Sequence, residues 1–164
     1  KERDVLSSVE RYRDFLQWRM ENNVDEEIRD IVMVNSNKSN TTAFAPPPNS
    51  RWDIVATYFP MKFDQIRPAT TTTSNTAPFQ PSAILYIGSF DTQGISEQIA
   101  SSESDITLDD FINYWIYLYE SIHFHLYQQS LDSGKMIFLD EVCDLKGLSI
   151  QQFSPYFVAK VMKP

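Results

Sequence analysis

Cysteine is nearly absent from this 164-residue sequence, which contains only Cys143. A single thiol has no partner for a disulfide within the sequence, and this fits a reducing compartment. Long apolar segments are lacking as well, since no run of about 18 apolar residues is present to cross a bilayer. Residues 1–10 also contain no apolar run of the kind found in signal peptides. We therefore expect a cytoplasmic protein.

Basic residues are outnumbered, because 14 Lys and Arg stand against 22 Asp and Glu and give a formal net charge of −8. The imbalance is greatest between Glu97 and Asp144, where ten acidic residues accompany the single base Lys135. Nucleic-acid binding needs Lys and Arg to displace counterions from phosphates, and a polybasic membrane anchor needs the same residue types. We expect neither a nucleic-acid partner nor such an anchor.

Familiar catalytic and nucleotide-binding motifs are missing too. The sequence contains no G-x-S-x-G, H-E-x-x-H or C-x-x-C pattern. The segment Gly88–Gly94 has glycines but no Lys-Ser or Lys-Thr pair after the second one, so it is not a phosphate-binding P-loop. A plain turn is predicted there.

The residues that could carry chemistry are poorly spaced for it. His123 and His125 would lie about 200° apart around a helix and would not converge on one metal ion. Asp140 and Glu141 are adjacent on a predicted strand, so they point to opposite faces and at most one can face a site. Nothing in the sequence places a base beside Cys143, which we expect to be a buried core residue. We predict no enzymatic activity, no metal site and no cofactor.

The residues that are present predict a folded protein with several helices. Hydrophobic residues make up 42% and aromatic residues 13% of the chain, which is enough to form a core. The longest predicted helix has clear end signals, since Thr107 can cap it together with Asp110 and Gly134 can end the turn that follows. Helical spacing and turn signals predict helices over Val5–Met20, Asp25–Val34, Trp52–Phe59 and Leu108–Leu131.

Two short apolar runs predict strands on either side of the long helix. They are Ala83–Ile87 and Met136–Val142. A strand, a long helix and a second strand imply a parallel pair joined by a right-handed crossover, so the predicted fold class is α/β. Ser149 and Gln152 form a capping-box pattern for a last helix that carries Phe153, Phe157, Val158 and Val161.

Aromatic residues surround most of the long predicted helix instead of following one stripe. They are Tyr114, Trp115, Tyr117, Tyr119 and Tyr127. Such a helix needs apolar contact on more than one side. Ordinary core packing explains this pattern, and so does the lining of a pocket.

Read in order, several segments resemble the CRAL-TRIO family of lipid-binding domains. These segments are residues 17–25, Tyr58–Pro60 with Ile84–Gly88, Tyr117–Glu120, and Ile137–Ser149 with its ending Asp144-Leu145-Lys146-Gly147-Leu148-Ser149. The resemblance implies a mixed, largely parallel sheet flanked by helices. It also implies that the family's domain continues past the point that matches Pro164, so that the fold is truncated on its C-terminal side.

The same resemblance implies a domain organisation. Residues 1–34 would be a short helical segment, the end of an N-terminal helical lobe, and 35–50 a flexible loop. Residues 51–164 would be the first part of the lipid-binding domain, with a Thr-rich loop at 68–82 where the family has a tight turn.

The resemblance also implies a site and a function. Tyr86 matches a strand tyrosine near the family's pocket, and Leu139 and Glu141 match positions where hydroxyl residues meet the phosphate of phosphatidylcholine. Strand alternation adds Ile137 to that face. Because Glu141 would repel a phosphate, a neutral or less polar ligand is favoured. The implied function is to hold one lipid or other hydrophobic molecule in an internal pocket, for transfer or sensing, with transient membrane contact. The alternative is a non-catalytic scaffold that binds a protein partner through an acidic helix face.

Overall fold

The computed structural model describes residues 2–36, 44–64 and 81–152. The parts of the predicted loops that fall at 37–43 and 68–80 lie outside these residues, as does the last predicted helix beyond Gln152. After Ser149 the structure describes a 3-10 helix over Ile150–Gln152. Within the described residues the chain is a mixed α/β structure with helices and a small three-stranded sheet.

Two helical segments form the N-terminal part. Helix α1 spans Glu2–Glu21 and α2 spans Arg29–Ser36, with a π-helical turn over Val24–Ile28 between them. The junction is at Asn23, whose φ of 50° is left-handed and ends α1. Both predicted helices are confirmed, and the second starts as a π-helical turn instead of a regular helix. The buried side chains of this second helical segment are those of Val24, Ile28 and Val32, which lie one turn apart.

The apolar side of α1 is largely uncovered in the described structure. Its residues at helical spacing, Val9, Tyr12, Leu16 and Met20, are all exposed. The periodicity therefore predicted the helix correctly, but most of this side packs against nothing among the described residues.

Helix α3 spans Arg51–Thr57 and begins where the side chain of Ser50 accepts a hydrogen bond from the Asp53 N–H at 3.2 Å. It ends earlier than predicted, and Pro60 directly precedes strand β1, Met61–Asp64. This strand was not predicted, because four residues after a proline carry little periodic signal.

The sheet has the order β1-β2-β3 among the described strands. Strand β2, Ser82–Leu85, pairs antiparallel with β1 and parallel with β3, Asp140–Cys143. The predicted parallel pair around a long helix is confirmed. The expectation of a largely parallel sheet is not met by the described strands, because one of the two pairings is antiparallel.

Both predicted strands are shifted from their expected limits. The first ends at Leu85 because the chain turns into a 3-10 helix over Ile87–Ser89. The second begins at Asp140, so residues 136–139 precede the strand instead of forming it. The plain turn predicted at Gly88–Gly94 is wrong.

A helix begins inside that segment. Helix α4, Thr92–Ala100, is capped by Asp91, whose carboxylate accepts a hydrogen bond from the Gly94 N–H at 2.7 Å. An aspartate at the N-cap stabilises the first turn, because it satisfies a backbone donor that has no partner within the helix. The overlooked signal was this aspartate, placed three residues before Gly94.

Helix α5, Leu108–Ser133, lies at the centre of the fold. Thr107 and Asp110 form the predicted capping box, with the Asp110 N–H donating to the Thr107 hydroxyl at 3.1 Å. The helix runs two residues past its predicted end at Leu131, and Gly134, predicted to end the turn that follows, ends the helix itself with a φ of 63°.

Two groups of buried side chains pack on α5. Tyr117 anchors the smaller group with Ile28 and Val32 of the N-terminal segment. The larger group joins α3, α4 and α5 and consists of Val55, Phe59, Ile95, Ile106, Phe111 and Tyr114. No helix within residues 2–36, 44–64 and 81–152 is both long enough and apolar enough to cross a membrane.

Candidate ligand-binding cavity

Helix α5 has two apolar sides with different surroundings. One side is buried in the core and carries Phe111, Tyr114, Tyr117, Leu118, Ser121 and Ile122. The neighbouring side faces an open cavity and carries Ile112, Trp115, Ile116, Tyr119, Glu120 and His123. The aromatic residues that surround this helix therefore divide between core packing and cavity lining, and Tyr127 is exposed.

The cavity has a volume of about 600 Å³ and opens to solvent. Helix α1 forms the opposite wall with Phe15, Trp18 and Arg19. The remaining lining residues come from the core and from two loops, and they are Phe59, Phe111, Ile87, Phe90, Thr92, Leu148 and Gln152.

Aromatic rings form most of the cavity floor. The Phe59 ring lies 5.1 Å from that of Phe90, 5.4 Å from that of Phe111 and 5.5 Å from that of Trp115, measured between ring centroids. Tilted and edge-on pairs at this distance are favourable for aromatic rings and hold them in place. The floor is thus both apolar and well supported from the core below.

Two loops are tied together at one end of the cavity. Gln152 donates hydrogen bonds from its side-chain amide to the carbonyl oxygens of Gly88, at 2.9 Å, and Phe90, at 3.0 Å. The Thr92 hydroxyl in turn donates to the Gln152 carbonyl oxygen. Gly88 lies so close to the other loop that a Cβ atom there would be 2.0 Å from the Lys146 carbonyl oxygen. Only glycine fits at this crossing.

A charged cluster stands at the α1 side of the cavity. The Arg19 guanidinium donates to Glu120 through Nη1 at 2.6 Å and Nη2 at 3.1 Å. It also donates to Asp25 through Nη2 at 2.5 Å and Nε at 3.2 Å. The side chains of Arg19 and Glu120 are 12% and 15% exposed, whereas that of Asp25 is 49% exposed.

Each charge in this cluster stabilises the others. The hydrogen bonds that Arg19 donates to Glu120 and then to Asp25 raise the pKa of Arg19, so the guanidinium stays cationic. The hydrogen bond from Arg19 lowers the pKa of Asp25 below its ordinary value, so that carboxyl stays ionised. Arg29 adds a second guanidinium, because its Nη1 lies 3.6 Å from Asp25 Oδ1, so two arginines face the two carboxylates of the cluster.

None of the four sequence-predicted site residues lines the cavity. Tyr86 is half-buried between β2 and the 3-10 helix, and its N–H donates to the Pro60 carbonyl oxygen at 3.4 Å. Ile137 and Leu139 are half-buried ahead of β3, and the Ile137 N–H donates to the Ser130 hydroxyl at 3.0 Å. The common strand face predicted for Ile137, Leu139 and Glu141 does not form, because β3 contains only the last of them.

Glu141 is exposed on β3 and does not line the cavity. It pairs with Ala83, which is buried, so it lies on the sheet face that carries Ala83. Partial burial raises the pKa of the cavity residue Tyr119, and the carboxylate of Glu141 and the thiol of Cys143 raise it further. Cys143 is exposed, so the prediction that it is a core residue is wrong.

The two histidines occupy different surroundings, as their spacing predicted. His123 lines the cavity, whereas the ring of His125 lies 5.1 Å from that of Phe44. Within the described part of the chain, no three His, Cys, Asp or Glu side chains are grouped so that they could hold a metal ion.

Sequence reasoning missed the α1 wall of the cavity. Phe15 and Trp18 stand one turn apart and Arg19 follows them on a helix side that is otherwise apolar. A single arginine among apolar residues was the available signal, but only the fold reveals that its carboxylate partner is on α5.

Comparison of the chain with protein-family models, with curated proteins and with solved structures finds no match.

Proposed function

We propose that this protein binds one elongated hydrophobic molecule, such as a lipid acyl chain, in the cavity between α1 and α5. The observation that carries the proposal is the cavity itself, with a volume of about 600 Å³ and a wall built mainly of aromatic and aliphatic side chains. Small-molecule sites typically have volumes of about 300–1,000 Å³, with apolar walls and a few polar groups. Arg19, Glu120 and His123 supply those polar groups here.

The driving force in this proposal is the removal of hydrocarbon from water, about 0.8 kcal/mol for each buried methylene. The rings of Trp115 and Phe59 provide flat contact surfaces that are already held by the core. A preformed site of this kind loses little conformational entropy when the ligand enters.

A carrier of the CRAL-TRIO type is the architecture that we propose for this function. The parallel pair of β2 and β3 around α5 supports it. In this proposal the ligand lies against α1 and the cavity side of α5 instead of the predicted strand positions. The protein would act in the cytoplasm and touch membranes transiently to load its ligand.

The proposal is tested by filling the cavity. Ile112 lies on the cavity side of α5 and is partly exposed, so Ile112→Trp adds volume to the site without opening a hole in the core. Ile54 is similarly exposed on α3 but does not line the cavity, so Ile54→Trp is the matched control. Uptake of a fatty alcohol from vesicles is measured by native mass spectrometry of the whole chain.

We expect the wild type and Ile54→Trp to take up one molecule each. Because overpacking costs about 1–3 kcal/mol, Ile112→Trp should bind about tenfold more weakly or worse. Leu148→Trp fills the cavity from a loop and provides a second blocking variant if the first does not fold. A wild type that takes up no lipid, or blocking variants that bind as the wild type does, would overturn the proposal. If the protein takes up no lipid, a non-catalytic scaffold that binds a protein partner becomes the better proposal.

A further inference from the structure

We infer that the cavity accepts lipids with an uncharged, hydroxyl-type head and discriminates against lipids with an anionic head. The inference rests on the proposed function and concerns which ligand class the same cavity takes. It comes from the cluster of Arg19, Asp25 and Glu120 at the α1 side of the cavity.

Arg19 is the one permanently cationic side chain among the described residues that line the cavity. In an apolar site, an anionic head is normally bound by such a guanidinium through paired hydrogen bonds. The sequence position of Arg19, between Trp18 and Met20 on an apolar helix side, would by itself suggest a carboxylate-binding site.

Most donors of Arg19 are already in use. A guanidinium has five N–H donors, and four hydrogen bonds join Arg19 to the carboxylates of Asp25 and Glu120. With one donor left, an incoming carboxylate or phosphate could form paired hydrogen bonds only by displacing one of these partners. Displacement of Glu120 would leave its carboxylate in a largely buried position without its counter-charge, which is unfavourable.

The charge balance acts in the same direction. The two carboxylates of the cluster face two guanidiniums, those of Arg19 and the exposed Arg29, so the cluster offers no net positive charge to an anionic head. A third carboxylate, Glu141, lies close enough to the cavity residue Tyr119 to raise its pKa. Like charges brought together in a partly dry site repel, so an anionic head beside Glu120 gains no net attraction from the cluster.

An uncharged hydroxyl avoids both problems. It can donate a hydrogen bond to a carboxylate oxygen of Glu120, because each carboxylate oxygen accepts more than one hydrogen bond. Glu120 lines the cavity and is mostly shielded from water, so such a bond would be formed in surroundings of low polarity. The ion pair to Arg19 can remain in place while the bond forms.

The test compares oleyl alcohol with oleate, which share one hydrocarbon chain and differ only in the head. Binding to the whole chain is measured above pH 7 by native mass spectrometry and by calorimetric titration. We expect oleyl alcohol to bind at least about tenfold more tightly than oleate. Equal or tighter binding of oleate would overturn this inference but leave the proposed function standing. If neither ligand binds, the proposed function itself fails.

The substitution Glu120→Gln removes one negative charge with little change in shape and releases the charge of Arg19. We expect it to reduce the preference for the alcohol by about tenfold, mainly by tightening the binding of oleate. Asp132→Asn, an exposed position near the end of the same helix and outside the cavity, should leave the preference unchanged.

If Glu120 had only a structural role, Glu120→Gln would weaken the binding of both ligands equally. An unchanged preference for the alcohol in this variant would therefore overturn the inference. If that variant does not fold, Asp25→Asn also frees donors of Arg19 from a side chain that is already half-exposed. It should shift the preference in the same direction, and no shift would again contradict the charge account.

Discussion

Arg19 on α1 and Glu120 on α5 are 101 positions apart in the sequence, and their side chains form an ion pair with an Nη1–Oε1 distance of 2.6 Å. The pair joins the N-terminal helix to the central helix across one end of the cavity. Most of the apolar side of α1 is exposed, so this ion pair is one of the contacts that hold the helix beside α5.

Breaking the pair from one side should destabilise the protein. Arg19→Met leaves the largely buried Glu120 without its counter-charge, and we expect a loss of about 1–3 kcal/mol, between the values for exposed and fully buried pairs. Urea unfolding followed by circular dichroism measures the loss. The double variant Arg19→Met with Glu120→Leu should recover most of it. A double variant no more stable than Arg19→Met alone would show that the charge was not the cause.

The crossing of two loops at Gly88 should tolerate no side chain. In Gly88→Ala the new Cβ would meet the Lys146 carbonyl oxygen at 2.0 Å, so the backbone would have to move. We expect a loss of at least about 2–3 kcal/mol, in the range of overpacked sites. The measurement is the thermal unfolding midpoint together with lipid uptake, because both loops border the cavity.

Gly134→Ala provides the comparison for that prediction. Nothing lies within 4 Å of a Cβ at Gly134, but its φ of 63° makes alanine strained. The expected loss is only about 1 kcal/mol, with lipid uptake unchanged. If Gly88→Ala were the milder of the two substitutions, the packing of the loops would differ from that described.

Burial of Tyr114 should make the protein sensitive to alkali. Burial raises the pKa of Tyr114 to about 12, from an ordinary value near 10. The unfolded chain therefore loses this proton at a lower pH than the folded chain does. The associated stability is fully present below about pH 10 and is lost between about pH 10 and 12, by about 2–3 kcal/mol.

Tyr114→Phe removes the titrating hydroxyl from the core. We expect the free energy of unfolding of this variant to fall less steeply than that of the wild type above pH 10. Tyr127→Phe changes an exposed ring on the same helix and should follow the wild-type curve. Parallel curves for the wild type and Tyr114→Phe would contradict the assignment.

Local signals in the sequence predicted most of the helices and the α/β class. Helix α5 was predicted nearly to its ends, because Thr107, Asp110 and Gly134 act within one turn of those ends. Strand β1 was missed since its formation depends on pairing with β2, far along the chain. The strand predicted over Met136–Val142 began too early for the same reason. Only the residues that pair with β2 belong to β3.

The cavity was less predictable than the fold. The aromatic pattern of α5 indicated contact on more than one side, but it did not distinguish Tyr117 in the core from Tyr119 at the cavity. That distinction depends on how α1 packs, through the long-range contact of Arg19 with Glu120. Spacing along one helix carries no information on such a partner.

The location of the bound lipid is the most direct test of the account. A fatty alcohol that carries a photoreactive diazirine on its chain is bound to the whole protein and irradiated, and the labelled residues are mapped by peptide mass spectrometry. We expect adducts on Phe15, Trp18 and the cavity side of α5 from Ile112 to His123, reduced both by excess oleyl alcohol and by the substitution Ile112→Trp. Adducts confined to Tyr86 and residues 137–141, or labelling that excess oleyl alcohol does not reduce, would contradict the account.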